Sequence, residues 1–214
     1  MTVTKPPPSV FHTPYAEERA DLLYNLLFCD NLAAFSADAH GRGPWAALRA
    51  DSPDRDALRR IAADRGGDSR FRALAFHRLR DAGETVPARE LLGVVVEVPQ
   101  DHGLDVLAAF ADGGVRYLNQ SSKIVFFEGR GHPAEAAALD LVALAQDIVD
   151  RIGPWDQARL PPPALGHVRL SFVVSDGLYF GEAPFDAFWN DALAGPVLRK
   201  ATELLRQAVD NALS

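Results

Sequence analysis

Cysteine occurs once in the 214 residues, at Cys29, so no internal disulfide can form and no bridge framework is available to hold the fold. Placed between Phe28 and Asp30 and three residues after Leu26, this thiol reads as a small buried apolar group rather than a nucleophile. There is no run of about 18 uncharged apolar residues, which excludes a membrane-spanning helix of ordinary length. The opening MTVTKPPPSVFHTP also lacks the basic start and apolar stretch of an export signal. Together with the lone cysteine, these absences lead us to expect a cytoplasmic protein.

Net positive charge is missing as well. The chain carries −7, which disfavours general affinity for nucleic acid or for an anionic membrane, both being polyanions. Lysine is confined to Lys5, Lys123 and Lys200, so the basic charge is almost all arginine. Eleven arginines face seven acidic residues between Arg42 and Arg89, and Arg65, Arg70, Arg72, Arg78 and Arg80 could form one basic face. Acidic residues interrupt that run, and few aromatic residues stand beside it for stacking on bases. A solvated helix face, or one that meets an acidic surface elsewhere in the chain, accounts for it better.

Catalytic and metal motifs are lacking too. The histidines at 12, 40, 77, 102, 132 and 167 never pair at the spacing that offers two ligands to one ion. His102 lies near Asp101 and Asp105, but in a turn where aspartate and glycine serve the backbone. No G-x-S-x-G elbow occurs, and Gly41-Arg42-Gly43 and Gly129-Arg130-Gly131 are too short for a nucleotide loop. The second of these precedes a helix start whose amides could hold an anion, although a flexible strand-to-helix joint explains it equally. No cofactor is implied.

What is present is a clear change of period. Residues 1–12, with Pro6, Pro7 and Pro8, form a flexible lead-in, and residues 13–83 form a helical segment. Thr13-Pro14 predicts a helix start leading into residues 14–29, with Leu22, Leu23, Leu26 and Leu27 as the apolar stripe. Ser52-Pro53-Asp54 begins a second helix, and Asp68 or Ser69 caps a third with Phe71, Leu74, Ala75 and Leu79 on one side.

From residue 91 to 128 the apolar period falls to two. Leu92, Val94, Val96 and Val98 mark one face of a first strand, and Leu104, Val106, Ala108 and Phe110 one face of a second. Three short turns join four strands, which dictates an antiparallel meander, because parallel neighbours need a long crossover. The remaining face is also largely apolar, so the sheet needs two covers, or one cover and a partner. A helix from Pro133, with Leu141, Leu144, Ala145, Ile148 and Ile152 inward, precedes a hairpin around Ser175-Asp176-Gly177. A last helix opens at Gly195-Pro196, with Val197, Ala201, Leu204, Leu205 and Ala208 on its buried side. Residues 84–214 are thus an antiparallel sheet of about six strands with two packing helices. The class is α+β, joined to the helical segment as one compact unit.

Two functional readings follow. Aromatic residues crowd the stretch before the last helix, so Phe185, Phe188 and Trp189 suggest a surface for a protein partner or for a second copy of the chain. The other reading is a small-molecule pocket between sheet and helices, with Tyr117, Lys123, Asp176, Tyr179 and Glu182 as donors and acid or base groups. Strand alternation already sends Arg116 and Tyr117 to opposite faces.

Overall fold

The computed structural model describes residues 6–36, 43–52 and 54–212. His40, Gly41, Arg42, Pro53 and the first five residues of the lead-in lie outside them. Among the described residues the helical segment comprises α1 (Glu18–Leu26), a 3-10 turn (Leu32–Ser36), α2 (Pro44–Arg49), α3 (Arg55–Ala63) and α4 (Ser69–Asp81). Next come strands β1 (Leu91–Gln100), β2 (Gly103–Phe110), β3 (Val115–Leu118) and β4 (Ile124–Phe127), then helix α5 (Glu135–Val149). The chain ends with β5 (His167–Val174), β6 (Gly177–Pro184), α6 (Phe185–Asn190) and α7 (Ala194–Ala212).

The six strands form one sheet in the order β4-β3-β2-β1-β5-β6, antiparallel at every step. Helices cover both faces, as a sheet apolar on both sides requires. Helices α5 and α7 cover one face, over Val94, Val96, Leu107, Ala109, Val115, Leu170 and Phe172. On the other face α1 meets Val95, Val106, Ala108 and Phe110, and α4 meets Leu92 and Val173. Leu92 therefore leaves the stripe of Val94, Val96 and Val98. A register shift between Leu91 and Gly93 inserts an extra residue and reverses the alternation there. Glycine is required at 93, since a Cβ there would come within 2.7 Å of the Phe110 ring.

Local capping departs from the sequence reading at the first helix. Thr13 does not cap it; α1 starts at Glu18, because the Asp21 carboxylate accepts from the Tyr15 amide and bends the preceding chain. Its buried side is Ala20, Asp21, Tyr24 and Asn25; of the leucine stripe, Leu27 is buried and Leu22, Leu23 and Leu26 are half-buried. Asp54 and Asp68 cap α3 and α4 through the amides of Asp56, Ala57 and Arg70. On α5, Leu144 faces out while Ala138, Leu141, Val142 and Val149 face in. The aromatic stretch before the last helix is not a loop, for Phe185–Asn190 is itself helical.

Candidate functional site: the two ends of the sheet

The eight residues singled out above are spread across the fold. Tyr117 lies on β3 and Tyr179 on β6, with β2, β1 and β5 between them. Tyr117 faces α7, where it lines a cavity of about 60 Å³ together with Asp105 and Phe185, room for no more than a few waters. Burial, reinforced by Asp105, pushes its phenol up to about 12. Tyr179 is buried, and its hydroxyl donates to Asp176 at 3.0 Å; burial and that carboxylate push this phenol, too, up to about 12. Lys123 is exposed in the turn before β4. Glu182 lies on the opposite face, paired with Arg169 at 2.6 Å. Asp176 and Tyr179 meet; the other three do not join them. Phe185 and Trp189 stack at 5.5 Å, and with Phe188 they rest partly buried against the core, seating α6 on the sheet.

Chemistry concentrates instead at two places that periodicity alone does not reveal, both on the face covered by the N-terminal helices. At the β6 end, Glu97 of β1 is 0% exposed. It accepts a hydrogen bond from the Tyr24 hydroxyl at 2.8 Å and lies 3.9 Å from Arg169. Burial raises the Glu97 pKa, and the Arg169 charge and the Tyr24 bond offset only part of that. Arg169 also makes two bonds to Glu182, which covers its outer side. Arg159 completes the cluster, with its guanidinium 4.0 Å over Phe28 and hydrogen bonds to Asp30 and Asn25. The free margin of this end is met at its start, where the Trp155 amide donates to the Leu178 carbonyl and its ring meets Phe180 edge-on at 5.0 Å.

The β4 end differs. Asn119 and Lys123 share a hydrogen bond across the turn, so alternation turns the amides and carbonyls of Val125 and Phe127 toward β3. Those of Ile124 and Phe126 point to the outside, and no strand pairs with them among the described residues. The strand reads Ile-Val-Phe-Phe, with no charge and no proline to block pairing. The Phe126 ring is 57% exposed.

Beside this strand lies a cleft of about 460 Å³ between the Gly66-Gly67 loop, the β2–β3 turn and the Gly129-Arg130 joint. Gly113 shapes the turn with φ +90, a backbone conformation open chiefly to glycine. The floor of the cleft is arginine. Arg70 grips Asp68 through two nitrogens at 3.1 and 2.6 Å, and although burial opposes it, this holds Asp68 below the ordinary carboxylate range. Arg116 donates to the Val115 and Phe127 carbonyls and to Glu128 at 2.9 Å. Burial and the neighbouring Arg70 charge both weaken the hold of Arg116 on its proton. Asp112 is occupied by the Ser69 and Gly114 amides.

The arginine run of α4 is therefore not a solvated face. Arg72 is buried on the Ala62 carbonyl and Glu90, and Arg80 reaches the Asp176 carbonyl. Arg70 also approaches an acid of the C-terminal half, Glu128, at 3.9 Å. The Gly131 amide donates to Glu135, so the chain's own carboxylate takes the anion position foreseen at the helix start. Cys29 is buried, and burial raises its thiol pKa. Among the described residues no group of three His, Cys, Asp or Glu gathers as a metal would need, and no helix is long and apolar enough to cross a membrane. No protein-family model matches this chain, and no curated protein resembles it significantly.

Proposed function

We propose that the protein is an interaction module that pairs with a second copy of itself along β4, so that two sheets join into one. The observation that carries this reading is the unequal make-up of the two sheet margins: β6 carries Glu182 and Pro184 and takes the Trp155 amide at Leu178, whereas β4 is apolar and uncharged and, among the described residues, has no strand on its outer side. Native sheets ordinarily blunt such an edge, because unpaired amides and carbonyls template another strand.

A second copy fits for a specific reason. The strand is apolar throughout, so antiparallel self-pairing about Val125 or Phe126 sets apolar side chains against the other copy and places no like charges opposite each other. Phe126 then covers Ile124 or Phe126 across the seam, on the face where it is now exposed. The contact is short. About four backbone hydrogen bonds and the burial of Phe126 in each copy, set against the cost of association, give a weak, reversible dimer with Kd on the order of 0.1–1 mM.

Sedimentation across that concentration range tests the reading. Phe126→Pro removes an amide that serves no internal bond, so the fold stays and the dimer is lost. Val125→Pro removes an amide that holds β4 to β3, and it unfolds the edge. A wild-type chain that sediments as a monomer throughout, or a dimer that survives Phe126→Pro, overturns the proposal.

A further inference from the structure

We infer that the cleft beside β4 binds a ligand oxyanion, phosphoryl or carboxylate, which takes the place of Glu128 on Arg116 and Arg70. The inference rests on the cleft itself and does not require β4 to pair. One Glu128 oxygen lies 2.9 Å from an Arg116 nitrogen and 3.9 Å from an Arg70 nitrogen, so a single carboxylate oxygen is shared by two guanidinium groups. Yet Glu128 is held loosely, with its side chain 66% exposed, whereas that of Arg116 is only 10% exposed. Displacing Glu128 into water strands no buried carboxylate, and an incoming oxyanion keeps the buried guanidinium satisfied.

The other acids at this spot are already engaged. Asp68 is spent on Arg70 and on capping α4, and Asp112 on two backbone amides. Arg130 stands exposed at the mouth with no ion pair among the described residues, free to meet a second anionic group. Glycine at 66, 67, 114 and 129 keeps the rim low. A Cβ at 129 would touch nothing within 4 Å, so the space above the joint is open. The cleft is large enough for a ligand of several non-hydrogen atoms and is lined mainly by charged residues and glycine.

Calorimetric titration of the full chain with inorganic pyrophosphate and, separately, with citrate tests this, and the tighter probe assigns the phosphoryl or the carboxylate class. Glu128→Gln, at an exposed position that leaves the fold intact, removes the internal competitor and tightens binding about tenfold. Arg130→Ala, also exposed, weakens it about threefold. Arg116→Lys, checked for folding by circular dichroism, abolishes it because the forked geometry is lost. Absence of heat with both probes in wild type and Glu128→Gln, or weaker binding in Glu128→Gln than in wild type, overturns the inference.

Discussion

Both ends of this sheet place an arginine on the same face and give it a carboxylate at the adjoining edge strand, yet one end is sealed and the other is not. At the β6 end Arg169 meets Glu182, 26% exposed, and behind it the fully buried Glu97. At the β4 end Arg116 meets Glu128, 66% exposed, and behind it another arginine, Arg70. The first arrangement sets a buried charge of each sign against the other. The second sets an exposed carboxylate between two arginines. The edge strands divide the same way: β6 carries Glu182 and Pro184 and takes the Trp155 amide at Leu178, whereas β4 has no charge, no proline and, among the described residues, no strand on its outer side. This contrast is the ground on which pairing along β4 is proposed.

The largest expected effect tests the sealed end. Arg169→Ala strands Glu97 at 0% exposure and costs about 3–5 kcal/mol of stability in urea unfolding, the usual price of breaking a buried pair. Arg116→Ala costs less, about 1–3 kcal/mol, since it orphans two carbonyls while Glu128 escapes to water. Equal losses in the two variants would erase the distinction between the ends. Next in size is Phe126→Pro, which raises the dimer dissociation constant at least about tenfold with unchanged circular dichroism.

Stability against pH sharpens the contrast, because the two ends shift a carboxylate in opposite directions. The raised pKa of Glu97 means that the native state holds this proton more tightly than the unfolded chain. Its contribution therefore worsens as pH rises from the unfolded value of about 4.3 through the native one. The lowered pKa of Asp68 has the reverse sign: its stabilisation is present above about 3.9 and lost as pH falls through the native value. Between about pH 4 and 6, wild type should lose ground to Glu97→Gln as pH rises. Against Asp68→Asn it should hold or gain. Each slope is bounded by about 1.4 kcal/mol per pH unit, and equilibrium unfolding at a series of pH values reads both.

How much of this could be read beforehand depends on range along the chain. Alternation placed Arg116 and Tyr117 on opposite faces and Val168, Leu170, Phe172 and Val174 on one, because strand geometry is local. It failed at Leu92, where one extra residue at a bulge reverses every later face and no residue type announces it. The cap at Thr13 failed for another reason: Asp21 and Asn25 bind backbone from inside the helix and override the local signal. Glu97, a single charge between Val96 and Val98, was a visible sign that a buried carboxylate needs a partner. Its partners Tyr24 and Arg169 lie 73 and 72 residues away, and no spacing rule connects them. The five-residue pocket read from the sequence joined residues that are polar and near turns, but turns at opposite ends of a six-strand sheet do not meet.

The smallest effect is the most specific. If β4 pairs with its own copy, the two Phe126 residues stand opposite each other, or one diagonal step apart, across the axis. Phe126→Glu sets two carboxylates there while leaving the buried core untouched, since Phe126 is 57% exposed. A like-charged cross-strand pair costs about 0.2–1 kcal/mol, so the charge alone should raise the dissociation constant by up to about fivefold. Salt separates this from a steric fault: exposed charges are screened over about 3 Å at 1 M, and the defect should shrink there while that of Phe126→Pro persists. A Phe126→Glu variant that dimerises as wild type does at low salt would show that the edge pairs in another register, or with another partner.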